Sequence, residues 1–254
     1  MNVLISGACG RMGREVASLC REQGITVTGG IDVAAAGGEA AFPLFASYSS
    51  CTAAADVLVD FTRPESLPEL LAFAVEKRLP LVLATTGFNE AEQKRIDEAT
   101  KHIPVFQSAN MSLGVSLLRL LSQKAAAVLG ESYDVEIVER HHKNKIDAPS
   151  GTAWMLFEAL KDVYPGGREP MPGRNARAQA RSPREIGIHA VRGGTLAGTH
   201  EVGFYGPDET LTFTHAASSR RVFAQGALQA AAYLKDKLPG KYAMEQLMGE
   251  KLGI

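Results

Sequence analysis

Short apolar runs and amphipathic stretches alternate through the first half of the chain. Asn2-Val3-Leu4-Ile5-Ser6 reads as a buried strand, and Met12, Val16 and Leu19 then recur at helical spacing. Further strands are predicted over residues 25–31, 56–61, 79–84 and 103–107, with helices over 65–77 and 89–101. Strands separated by helices build a parallel doubly wound sheet, whose ligands lie beyond the carboxyl ends of the strands. After a helix over 112–129 the pattern changes. Residues 133–139 alternate polar and apolar, as a strand with one solvated face does. A helix over 151–163 and strands over 187–191, 196–205 and 210–216 follow, with Gly206-Pro207-Asp208-Glu209 as a hairpin turn. The second half therefore predicts a mostly antiparallel sheet. A final amphipathic helix carrying Val222, Ala227, Leu228, Ala231 and Leu234 is expected to return and cover the first domain.

Residues 165–185 break both periodicities. The segment is rich in Gly, Pro and Arg, with Arg168, Arg174, Arg177, Arg181 and Arg184, and reads as a mobile or partner-covered loop. It lacks the interleaved aromatics of a nucleic-acid arm. The composition of the 254 residues, 45% hydrophobic and 22% charged, is that of an ordinary globular protein, and a net charge of -1 points to neither nucleic acid nor an anionic membrane as partner. No apolar run reaches the length of a membrane span. With the first strand starting at the second residue there is no charged leader, so a cytoplasmic location is expected. Cys9, Cys20 and Cys51 form no disulfide or zinc pattern, and no metal is expected.

Two segments concentrate chemistry. Gly7, Gly10 and Gly13 lie between the first strand and the first helix, where they would allow a tight turn, close approach of a pyrophosphate and close packing of the helix. Asp32 ends the second strand, nineteen residues after Gly13, where a carboxylate meets the adenosine ribose hydroxyls. Strand, glycine turn, helix and placed acid together read as a Rossmann-type dinucleotide site. Thr62, Arg63, Thr85, Thr86 and Asn110 at other strand ends either meet the cofactor or cap helices. The second segment is His141-His142-Lys143-Asn144-Lys145-Ile146-Asp147-Ala148-Pro149-Ser150-Gly151-Thr152. Imidazoles and ammonium groups move protons and attract anions, and Ser150 would cap a helix whose first amides, Gly151 and Thr152, bind a carboxylate. The segment is either an active site or a solvated basic turn before an ordinary helix.

Taken in order, Gly7–Gly13, Asp60-Phe61-Thr62, Ala84-Thr85-Thr86-Gly87-Phe88, Ser108-Ala109-Asn110-Met111-Ser112, Glu139–Ala153, His189–Gly194 and His215–Arg220 resemble the 4-hydroxy-tetrahydrodipicolinate (dihydrodipicolinate) reductase family of bacterial diaminopimelate and lysine synthesis. Met111 stands where that family usually has Phe, and Ala84 where it usually has Gly. The resemblance implies a Rossmann-type α/β domain over 1–111 with 219–254, and an α+β substrate-binding and tetramerisation domain over 112–218. It implies His141 as proton donor or acceptor and Lys145 as second proton donor, with His142, Gly151 and Thr152 holding the carboxylates of a cyclic dicarboxylate. Gly7, Ala8, Cys9, Gly10, Arg11, Met12, Asp32, Ala84, Thr85, Thr86, Ser108, Ala109, Asn110 and Met111 would hold the cofactor. NADH is expected over NADPH, because Asp32 repels a 2′-phosphate and Val33 supplies no compensating charge. A homotetramer is implied, with domain closure hinged near Met111–Ser112 and Ser218–Arg221.

Overall fold

The computed structural model describes residues 1–37, 40–175 and 179–253. In chain order the elements begin β1 (Asn2–Ser6), α1 (Arg11–Glu22), β2 (Thr26–Ile31), β3 (Leu44–Phe45), β4 (Val57–Asp60), α2 (Leu67–Lys77), β5 (Leu81–Leu83), α3 (Glu90–Ala99) and β6 (Pro104–Gln107). They continue through α4 (Leu113–Leu129), β7 (Asp134–His141), α5 (Gly151–Lys161), β8 (Glu169–Pro172), β9 (Glu185–Arg192), β10 (Gly198–Tyr205) and β11 (Thr210–Ala217), and end with α6 (Arg221–Leu234), β12 (Gly240–Tyr242) and α7 (Met244–Leu252). Two compact units result, one from Met1–Leu113 with Arg220 onward and the other from Gly114–Ser219.

The first unit is a seven-stranded parallel sheet in the order β12-β6-β5-β4-β1-β2-β3. Alternation along each strand serves two cores. Val3, Ile5, Val57, Val59, Val82 and Phe106 pack with α1, α6 and α7, while Leu4, Leu58, Leu81, Leu83 and Val105 pack with α2 and α3. With both faces covered the central positions of β1, β4, β5 and β6 are apolar in succession, and each buried aliphatic side chain contributes about 1.5–3 kcal/mol. Helix α6 sits close because its inner face is small: a Cβ on Gly226 would lie 1.6 Å from the Met111 carbonyl oxygen. Asn89 caps α3, accepting from the Glu92 amide while the Glu92 carboxylate accepts from the Asn89 amide, which fixes where that helix starts.

The second unit is a five-stranded sheet in the order β11-β10-β7-β9-β8. Its longer part, β11-β10-β7, is antiparallel as expected; β7-β9 and β9-β8 are parallel, with α5 in the crossover from β7. One face carries Val135, Ile137, Ile186, Ile188, Val202 and Phe204 and packs on Leu118 and Ala126 of α4 and on Ala153, Leu156, Phe157 and Leu160 of α5.

Two expectations are corrected here. The arginine-rich segment is not a structureless loop in its described part: it contributes the edge strand β8, whose four residues are all exposed and so carry no apolar alternation. Its arginines fasten it. Arg168 stacks 3.8 Å above the centre of the Tyr164 ring, Arg181 reaches Asp134 and Glu136 at 2.6 and 3.0 Å, Arg184 donates to the Gly166 carbonyl and Arg174 pairs with Glu185. Arg177 lies outside the described residues. Secondly, Leu113–Ser132 is by length and composition apolar enough to cross a membrane. Ser116, Arg119, Ser122, Gln123 and Lys124 interrupt its apolar run, so run length alone does not detect it. Within the fold, Val115, Leu118, Ser122 and Ala126 form its buried side.

Candidate active site

In the second unit the inward row of β7 continues past its hydrophobic residues. Val135 and Ile137 are followed, at the same two-residue period, by Glu139 and His141. The facing positions behave alike. Gly198 and His200 lie on β10 in line with Val202 and Phe204, and Arg192 lies on β9 in line with Ile186 and Ile188. The core therefore ends in a polar cluster, capped by the start of α5.

Glu139 is fully buried and has four donors. Arg192 clamps it with two N–H groups, each at 2.7 Å, the Ser150 amide donates at 2.9 Å, and His141 Nδ1 lies 2.6 Å from its other oxygen. Burial alone would raise the Glu139 pKa, but Arg192, His141 and the Ser150 amide outweigh it and hold the carboxyl below its usual range. Ser150 also caps α5, accepting from the Ala153 amide, and its hydroxyl is 3.1 Å from His200 Nε2. The His200 ring stands edge-on to His141, with centroids 5.1 Å apart. Burial first, and then charge on His141, push the His200 pKa down to about 4.

The turn after β7 is held by its backbone. His142 N–H donates to the Leu196 carbonyl, Lys143 N–H to that of Gly194, and Lys145 N–H to that of His142. Lys145 Nζ pairs with Asp147 at 2.8 Å, and that ammonium holds the Asp147 pKa down. His141 is thus joined to the start of α5 through Glu139 and the Ser150 amide, and Lys145 through Asp147, whose carboxylate also accepts from the Gly151 amide. Partly shielded imidazole and ammonium groups beside a positive helix end suit holding a carboxylate and transferring a proton elsewhere on the molecule that bears it.

In the first unit the expected cofactor residues collect at the carboxyl ends of β1, β2, β5 and β6. Gly7 has φ of +79°, its amide donates to the Ile31 carbonyl at 2.8 Å at the end of β2, and its carbonyl accepts from the Gly10 amide at 3.1 Å, which closes the turn. A Cβ on Gly13 would lie 2.2 Å from the Gly7 oxygen, so α1 can seat only without one. A Cβ on Gly10 would meet only that oxygen, at 3.2 Å. The turn over Gly7, Ala8, Cys9 and Gly10 leading to Arg11 and Met12 therefore fits a dinucleotide: it is open at Gly10, and the first amides of α1 face outward from a positive helix end. Asp32 accepts from the Cys9 and Ala34 amides, each at 2.9 Å, one on each oxygen, which leaves each oxygen a second lone pair.

The remaining residues divide. The Thr85 hydroxyl donates to Asp60, whereas Thr86 is exposed and Ala84 half-buried. Ser108 donates to the Asn110 carbonyl and Asn110 accepts from the Ser112 amide, so this turn including Ala109 is self-supporting; Met111 is buried beneath α6. Several groups here carry no role in the sequence reading. Asp60, fully buried with its pKa raised by burial, ties the loops after β4 and β5 together through Thr62 and Thr85. Glu139, Arg192 and His200 do the same for the second unit. For Glu139 a signal existed, because the alternation in 133–139 puts it in line with Val135 and Ile137.

Family models described as dihydrodipicolinate reductase, N-terminus and C-terminus, match residues 1–111 and 114–248. The chain belongs to the dihydrodipicolinate reductase family. Its relatives include the 4-hydroxy-tetrahydrodipicolinate reductases of Caldanaerobacter subterraneus, 46% identical over 249 residues, and Clostridium novyi, 41% identical over 250, each alignment covering 98% of both chains. A dihydrodipicolinate reductase from a Paenisporosarcina species, solved with dipicolinate bound, shares the fold with a TM-score of 0.81 at 24% identity, covering 96% of this chain and 97% of that one. As a dihydrodipicolinate reductase family member the chain is an oxidoreductase, and its first unit is a nucleotide-binding fold of the kind that uses NAD(P)H.

Proposed function

We propose that the chain reduces 4-hydroxy-tetrahydrodipicolinate to tetrahydrodipicolinate, with NAD(P)H consumed and water released, in the cytoplasmic synthesis of diaminopimelate and lysine. The observation that carries this reading is the linkage of His141 to the start of α5 through Glu139, and of Lys145 through Asp147, in a chain 46% identical to a reductase of that name. The nicotinamide, when bound, supplies the hydride. The chain's own residues hold the ring and deliver the proton that hydride addition demands. His142 and the amides of Gly151 and Thr152 clamp the carboxylates of the cyclic dicarboxylate, while His141 and Lys145 provide the proton.

Asp32 favours NADH, since each of its oxygens keeps a lone pair for a ribose hydroxyl and its charge opposes a 2′-phosphate; NADPH is tolerated. The eight-residue, largely exposed edge strand β11 supports a homotetramer assembled through the second unit's sheet. Substrate made from pyruvate and aspartate semialdehyde by its synthase, with nicotinamide oxidation followed, tests the activity. Absence of oxidation with either cofactor refutes it, and a monomeric mass at micromolar concentration refutes the assembly.

A further inference from the structure

We propose that Glu139 is a positioning residue for the reduction: it accepts a hydrogen bond from His141 Nδ1–H, leaves Nε2 as the nitrogen that exchanges a proton with substrate, and ties that imidazole to the start of α5. The proposal rests on the reading of His141 as proton donor. An ionised carboxylate only accepts, so a neutral His141 at 2.6 Å from Glu139 carries its hydrogen on Nδ1 and its lone pair on Nε2. The other oxygen of the same carboxylate receives the Ser150 amide, one residue before the cradle formed by Gly151 and Thr152. Proton donor and carboxylate cradle therefore share one buried anchor, and Arg192 keeps that anchor charged.

A second observation points to the same nitrogen. A Cβ at position 198 would stand 2.9 Å from His141 Nε2 and 3.2 Å from Cδ2, so a side chain there would press on the reacting edge, and glycine leaves it clear. The charged and titratable groups around the pair are Arg192 on β9, His200 on β10 with His215 beyond it on β11, and Lys145 with Asp147 in the turn.

In Glu139→Gln the amide oxygen serves the Ser150 amide, which only donates, so the amide NH2 faces His141 and the neutral tautomer inverts. Nitrogen NMR on histidine-labelled protein, with His141→Gln assigning the signal, should show the Nδ1–H tautomer in the wild type and its inversion in the variant. With the lone pair moved away from Nε2, kcat should drop roughly a hundredfold or more while KM changes far less. The wild-type spectrum decides the matter if Glu139→Gln does not fold. An Nε2–H tautomer in the wild type, an unchanged tautomer in the variant, or full turnover despite an inverted tautomer would each overturn the proposal. Failure of the wild-type enzyme to reduce the substrate at all would overturn the underlying reading instead, which the NMR measurement separates from the geometry.

Discussion

His200 makes the fold acid-sensitive in a way that can be measured. It is only 5% exposed and is pushed from its ordinary 6.5 down to about 4, first by burial and then by charge on His141. The unfolded chain therefore binds a proton that the folded chain refuses between those two values. Stability from this residue is complete above pH 6.5 and is lost as pH falls toward 4. A displacement of about 2.5 pH units, at about 1.4 kcal/mol each, amounts to about 3.5 kcal/mol, a large part of a typical folding free energy. His200→Gln removes the titration while keeping a side chain able to reach the Ser150 hydroxyl. Urea denaturation of both proteins at one concentration, at pH 7.5 and at pH 4.5, isolates the effect from the other titrating groups. The advantage of wild type over variant should shrink by about 2–3 kcal/mol at the lower pH. Parallel losses in the two proteins would show that His200 is not held neutral by its surroundings and would refute the reasoning.

Other predictions concern the site and the packing. His141→Ala and Lys145→Ala should each lower kcat roughly a hundredfold or more, whereas His142→Ala should mainly raise KM, with NADH affinity by titration unchanged in all three; near-normal turnover in the first two would remove the proton-transfer assignment. Gly226→Ala forces a Cβ onto the Met111 carbonyl and should cost about 1–3 kcal/mol by denaturant titration, and an unchanged midpoint would mean α6 seats loosely. Asp32→Asn should narrow the preference for NADH over NADPH in kcat/KM, and an unaltered ratio would mean that the carboxylate serves only the turn.

The parallel sheet is legible in the sequence because β1, β4, β5 and β6 are short apolar runs and the helices between them keep a 3.6-residue period. The capping pair Asn89 and Glu92 marks the start of α3 as plainly. The short elements are not legible. β3 has two residues and β12 three, too few for any period, and α7 buries only Met244, Leu247 and Met248 with no N-cap side chain of the usual kind. Within the site, the histidines, lysines and capping serine announce themselves by type. Glu139 announces itself only by its place in line with Val135 and Ile137, and the partner that makes its burial tolerable, Arg192, is 53 residues away on β9. Likewise Gly198 matters only because of the imidazole it leaves room for.

Helix α6, strand β12 and helix α7 are synthesised after the rest of the first unit, and they arrive only after the whole of the second unit has been made. Until then β6 has an unpaired edge, and Val3, Ile5, Val57 and Val59 have α1 but not α6 and α7 against them. The second unit, continuous in sequence, has every strand of its sheet available earlier. The order of translation thus lets the second unit close first and leaves the nucleotide-binding unit waiting for its final segment, with its exposed apolar face the stage most open to aggregation.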